Sequence, residues 1–203
     1  MSHALGSTSS SLWYFSRGTG TVSLALFSLS MALGVLVRGA RPVVQIPRFA
    51  IGAIHRNVAL LALGFLAVHV VTAIADPFVT IGWAAAIVPG TSPYRSLAMG
   101  LGAVAVDLAI AVVVTSLVRE RLGRRAWRAV HWLVYVCWPL ALVHTLMLGP
   151  DATVGAVRAF TYGSIALVAF ATTWRVIAIA PHGAFTARLR ARQRQLRTFR
   201  GVG

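Results

Sequence analysis

The sequence predicts an all-α membrane protein: a polytopic bundle of five transmembrane helices plus one short interfacial or re-entrant segment. Three observations predict it. Charged residues make up only 11% of the 203-residue chain and apolar residues 58%, with a mean hydropathy of +0.77, whereas a soluble domain carries about 25% charge. Apolar runs of about 20 residues, the length that crosses a hydrocarbon core, recur five times. The arginines gather at the ends of those runs instead of spreading over a surface.

The runs follow in order. Thr19–Val37 is entered through Arg17-Gly18-Thr19-Gly20. Ile54–Ala75 closes at Asp76-Pro77, where proline disfavours further helix. Phe78–Val88 is apolar but about 11 residues long, too short to span, so it is expected to lie in the interface or fold back. Leu97–Val118 carries one interior charge, Asp107, read as a structural hydrogen bond to a neighbouring helix or as a proton relay. Trp127–Leu148 contains Pro139 and stops at Gly149-Pro150, and Ala159–Ile179 ends before Pro181. No internal repeat stands out. Residues 1–11 lack a basic n-region, so no cleaved signal peptide is expected.

The net charge of +15 comes from 19 arginines against four acidic residues. On a soluble chain this would suggest nucleic acid; here it reads as the positive-inside rule, with no nucleic-acid partner expected. Sixteen arginines flank one side (Arg38 to Arg56, Arg119 to Arg128, and Arg175 to Arg200) and three the other (Arg17, Arg95 and Arg158). The expected orientation in the cell membrane therefore has the N-terminus outside and the C-terminus in the cytosol. Arg175, a turn inside the last span, is expected to snorkel to the cytosolic surface. The basic stretch after residue 181 reads as a tail on anionic lipid, or as a docking site for an acidic soluble partner. The lone Cys137 excludes an internal disulfide, a cysteine-ligated cluster and covalent C-x-x-C-H haem attachment.

The chemistry lies in four histidines. His55 and His69 share the second span, and His131 and His144 share the fourth. One intramembrane histidine reads as a satisfied core residue; four, in two pairs on helices without other intramembrane charge, read as ligands. The spacings of 14 and 13 residues are rises of about 21 Å and 20 Å. Both spans run the same way, so His55 matches His131 in depth near the cytosolic surface, and His69 matches His144 near the outer one. Two imidazoles on neighbouring helices are what a six-coordinate haem requires. Zinc is the rival, and two histidines without cysteine or carboxylate make a poor zinc set. One difficulty is geometric. Thirteen residues fall roughly 140° short of four turns, and a kink or local rewinding at Pro139 is the expected remedy.

The paired spacings, together with Arg17-Gly18-Thr19-Gly20, His55-Arg56, Asp76-Pro77, Thr115-Ser116-Leu117 and Trp127-Arg128-x-x-His131, resemble the ferric reductase-like transmembrane domain. That family includes NADPH oxidase and ferric-chelate reductase membrane domains and the haem subunit of a periplasmic methionine-sulfoxide reductase. The likeness covers roughly residues 13–150. It implies two b-type haems, the inner on His55 and His131, the outer on His69 and His144. The expected organisation is an external segment (1–16), a di-haem transmembrane domain (17–181) and a basic cytosolic tail (182–203). The family usually has six spans and its full-length oxidases carry flavin and nucleotide domains, so one span fewer is expected here and flavin only through a partner.

Haem propionates call for arginine, which binds carboxylates bidentately. Arg56, Arg124, Arg125 and Arg128 are candidates at the inner haem, with Arg56 and Arg128 foremost, and Arg17 and Arg95 at the outer. Each also reads as an ordinary headgroup arginine. Trp127, Trp132, Tyr135 and Trp138 surround the ligands as packing and interface anchors. Gly52, Ala53, Gly64 and Ala67 are places where a flat macrocycle, or another helix, could approach closely. The function implied is transmembrane electron transfer from a cytosolic flavoprotein or quinol to an extracytoplasmic acceptor. The alternative is a non-redox five-span transporter or assembly factor with structural histidines.

Overall fold

Helix is the only regular structure that meets all its own backbone hydrogen bonds within a lipid-facing segment, and helix is the only regular secondary structure among the described residues (2–37, 47–77, 79, 81–148 and 155–179) of the computed structural model. In chain order the elements are α1 (Ser2–Val37), α2 (Arg48–Ala75), a 3-10 turn (Trp83–Ala86), α3 (Ser96–Leu117), α4 (Arg119–Leu122), α5 (Arg124–His131), α6 (Val134–Leu148) and α7 (Gly155–Ile179). Five crossings result, all long and apolar enough to span a membrane, the fourth made of α5 and α6 together. This is the expected fold class: a multi-pass membrane bundle.

Several boundaries follow from local chemistry. Asp76-Pro77 ends α2 in extended backbone. Gly123, at φ 79°, supplies the left-handed turn between α4 and α5 that a side chain would resist. The first helix departs from expectation, because α1 begins at Ser2 and runs through residues 16 and 17 without a break. Arg38, Arg41, Gly149-Pro150, Pro181 and the tail beyond 181 lie outside the described residues.

α1 is the hub. It packs against α2 along its length and against α7, where Ala32, Val35 and Ala171 form a buried cluster with Leu167 against it. α3 packs against α5 and α6. Lipid gives helices no hydrophobic drive to associate, so small residues and interhelical hydrogen bonds carry the seams. The α1–α2 seam shows this. Ser16, Ser23 and Ser30 on α1 meet His69, Ala62 and His55 on α2, antiparallel, at seven-residue steps on both helices. The α3–α6 seam has the same step: Ala98 meets His144, and the carbonyl of Ala105 accepts from the Cys137 thiol at 3.2 Å.

Between α1–α2–α7 on one side and α3–α5–α6 on the other lies a cavity of about 1070 Å³, running from Trp13 and Asp76 at one end to Arg56 and Arg175 at the other. The halves are tied by the Trp138 indole donating to Ser28 Oγ at 2.8 Å and by Arg17 donating to the Leu148 carbonyl at 3.0 Å. The 3-10 turn in the expected re-entrant stretch closes one end: Ala85 is buried and lines the cavity, while Trp83 and Val88 are exposed. Phe78 and Thr80 are outside the described residues.

Candidate functional site

All four intramembrane histidines line this cavity. Facing across it, His55 and His131 have ring centroids 6.4 Å apart, and so do His69 and His144. Two imidazoles bound to one metal at about 2.0–2.1 Å per bond, with about 1.2 Å from nitrogen to ring centre, would sit roughly 6.4 Å apart. The donor set fits a metal held axially by two imidazoles. Among the described residues no three His, Cys, Asp or Glu side chains cluster, which leaves the site a poor match to zinc.

Ring orientation is set from behind. Nδ1 of His55 donates to the Ser30 carbonyl at 2.8 Å, that of His69 to the Ser16 carbonyl at 2.7 Å, and that of His144 to the Ala98 carbonyl at 2.8 Å. A carbonyl can only accept, so Nδ1 carries the proton in each, and the Nε2 lone pair is left for a metal. The Ser16 and Ser30 hydroxyls lie 3.3 Å and 3.2 Å from the same nitrogens. One turn beyond each acceptor stands a glycine. A Cβ on Gly20 would fall 2.7 Å from His69 Nδ1, on Gly102 2.5 Å from His144 Nδ1, and on Gly34 3.3 Å from His55 Cε1.

These contacts expose a repeat that the sequence analysis missed. Ser16-x3-Gly20 and Ser30-x3-Gly34 recur 14 residues apart on α1, the same interval as His55 and His69. Ala98-x3-Gly102 is the corresponding station on α3. The fourth station differs: Ser116 Oγ accepts from the Trp127 indole at 3.2 Å, and the Trp127 ring stacks on His131 with centroids 5.1 Å apart. The signal was present as small-x3-Gly words, but such words are common in any membrane helix.

Overwinding makes up about half of the shortfall left by the 13-residue spacing. Leu133, Tyr135 and Val136 donate to residues three earlier, at 2.9, 3.0 and 2.9 Å, where an α-helix would reach four. Each 3-10 residue turns about 120° against 100° and rises about 2.0 Å against 1.5 Å. Over three or four residues this recovers about 60–80° of the missing rotation and lengthens the rise to roughly 21–22 Å, level with the α2 pair. The tightened stretch lies on the N-terminal side of Pro139, whose ring crowds the carbonyl of Tyr135 and has no N–H to give it.

The arginines divide. Arg56 and Arg17 line the cavity, whereas Arg124, Arg125 and Arg128 do not; all but Arg17 are exposed. At the opposite end Arg17 and Arg95 donate to the Leu148 and Met147 carbonyls (3.0 and 2.6 Å), capping the last turn of α6, and Arg17 also covers the Trp13 ring at 4.3 Å. Arg175 lines the cavity, and its Nη1 is buried with no hydrogen-bond partner among the described residues. Asp107 is half-buried and outside the lining. Trp127, Trp132, Tyr135 and Trp138 line the cavity, as do Gly52 and Ala53, whereas Gly64 and Ala67 do not.

Comparison with known proteins bears on this geometry. The family model described as ferric reductase like transmembrane component matches residues 19–142, more than half of the chain. No curated protein and no solved structure matches.

Proposed function

We propose, from the premise that the chain belongs to the ferric reductase-like transmembrane family, that it conducts electrons across the membrane through two b-type haems. His55 and His131 hold one, and His69 and His144 the other. The observation that carries the reading is the pair of 6.4 Å imidazole separations, with three of the four rings tethered through Nδ1 to carbonyls. A haem held by these imidazoles would supply one-electron oxidation and reduction.

The chain's own residues do the rest. The four imidazoles fix two sites about 21 Å apart along the helix axes. The apolar walls keep water out. Arginine asymmetry puts the end bearing Arg56 in the cytosol. On this reading a cytosolic flavoprotein or a quinol donates, and an extracytoplasmic acceptor, by family a ferric chelate, receives. Each electron moved works with or against about 2.3 kcal/mol per 100 mV of membrane potential.

The test is the visible spectrum of the purified chain. A dithionite-reduced b-type α-band at two haems per polypeptide is expected. A colourless preparation, after expression with ample haem supply, would favour the non-redox alternative of a five-span protein with structural histidines. Reoxidation by ferric citrate, oxygen and quinone analogues then sorts the acceptors.

A further inference from the structure

Arg175 lies on the face of α7 that packs on α1. One turn earlier, Ala171 is buried against Val35, the neighbour of Gly34, and Gly34 borders the His55 ring. The Arg175 side chain thus leaves α7 within about a turn of the His55 layer. Its Nη1 is buried and lacks a partner among the described residues. Arg56 and Arg119 line the same end of the cavity. Among the described lining residues the only carboxylate is Asp76, at the far end of α2. A buried guanidinium costs free energy unless it is paired and hydrogen-bonded. Arg175 is the buried one; with the exposed Arg56 and Arg119 lining the same end of a largely apolar cavity, its head calls for an anion.

We propose that Arg175, with Arg56 and Arg119, forms an anion site that takes the propionate carboxylates of the group held by His55 and His131. This rests on the proposed function and adds a residue from the last helix, which contributes no axial ligand. Arginine suits the task, since its planar fork can meet a carboxylate through two parallel N–H bonds. It also gives α7 a reason to present a charge inward at a depth where the surface lies within reach.

The test uses the holoprotein in detergent. Haem transfer to an excess of haem-scavenging apoprotein and potentiometric titration are followed for wild type, Arg175→Gln, Arg175→Lys and Arg158→Gln. In Arg175→Gln one haem of the two should leave about tenfold faster, as expected for loss of one charge-assisted bond. The same haem's midpoint should move to a more negative potential, because a nearby cation favours the added electron. The effect should persist in a His69→Ala background, which keeps only the His55–His131 site. Arg175→Lys should restore most of the potential and less of the retention, and Arg158→Gln, exposed at the other end of α7, should change neither. If Arg175→Gln does not fold, faster haem loss in Arg175→Lys remains the readout. Wild-type rates and potentials in the Arg175 variants would overturn the site, as would a wild-type rate that varies with added anionic phospholipid, which would assign the arginines to a headgroup phosphate. A wild type without b-haem absorbance would count against the proposed function itself, so the two failures are distinct.

Discussion

Replacing Gly102 by alanine adds one methyl group where the structure has no room for it. The new Cβ would lie 2.5 Å from Nδ1, 2.6 Å from Cε1 and 3.2 Å from Cγ of His144. Carbon contacts are comfortable from about 3.5 Å, so the ring must retreat by roughly 1 Å. Two costs follow. Overpacking of this kind destabilises by about 1–3 kcal/mol, offset by the ~1 kcal/mol that alanine gains over glycine within a helix. The folded bundle should therefore survive. The haem site should not, because a metal ligand tolerates only about 0.2 Å of misplacement. Gly102→Ala should yield a folded protein with one haem instead of two, read from the reduced α-band against protein concentration and from low-spin ferric signals in electron paramagnetic resonance. The structure also ranks its neighbours. Gly20→Ala, with a contact of 2.7 Å to the His69 ring, should behave alike; Gly34→Ala, at 3.3 Å, should retain both haems with one perturbed; Gly18→Ala and Gly64→Ala, with nothing within 4 Å, should be silent. A Gly102→Ala protein with two haems and unaltered low-spin signals would refute the reasoning, since the ring would then not be where the carbonyl of Ala98 holds it.

Three other outcomes are expected. His55→Ala and His131→Ala should lose one and the same haem while His69→Ala and His144→Ala lose the other, as told by residual potential; crossed losses would break the pairing. Pro139→Ala removes the ring that crowds the Tyr135 carbonyl and lets residues 132–139 relax toward α-helix, turning His131 away from His55; haem content should fall, and inserting one residue after Leu133 in that background should restore it. Trp138→Phe loses the 2.8 Å bond to Ser28 Oγ that ties the halves; a hydrogen bond within a membrane bundle contributes about 0.6 kcal/mol, so a small drop in detergent thermal stability with both haems retained should follow.

Much of this was legible in the sequence, because the membrane reduces the folding problem to length and hydropathy. Five spans could be read from charge-free runs, and the four histidines stood out because ionisable residues at that depth are expensive. The pairing by depth followed from spacing alone. The acceptors behind the rings did not. Those behind His55, His69 and His144 are main-chain carbonyls, which every residue possesses, so no side chain announced them; only the glycines that make room were visible, and glycine has many uses in a membrane helix. Arg128 was favoured for its closeness in sequence to His131, and three residues leave it only about 60° away around α5, yet its side chain is exposed and does not line the cavity. Arg175 lies near a span end, a position compatible with either surface or cavity, and the lining of the cavity by its side chain could be seen only once α7 packs against α1.

The division of labour between helices also explains why the ligands are placed where they are. α2 and the α5–α6 crossing carry the imidazoles, and they belong to opposite halves of the bundle. α1 and α3, each packed along its own ligand helix, supply the carbonyls and the glycine clearances for His55, His69 and His144, and Trp127 stacks on His131, so the rings are oriented from within their own halves. Among the described residues, ties between the two halves include Trp138–Ser28 and Arg17–Leu148, and the cavity lies between them. A group bridging His55 to His131 and His69 to His144 would therefore also serve as a structural tie between the halves. Any ligand that binds the assembled state alone stabilises it by mass action, so the same four side chains would couple binding of such a group to closure of the bundle. That coupling requires rings held from within each half, and the seven-residue seams on either side of the cavity provide that arrangement.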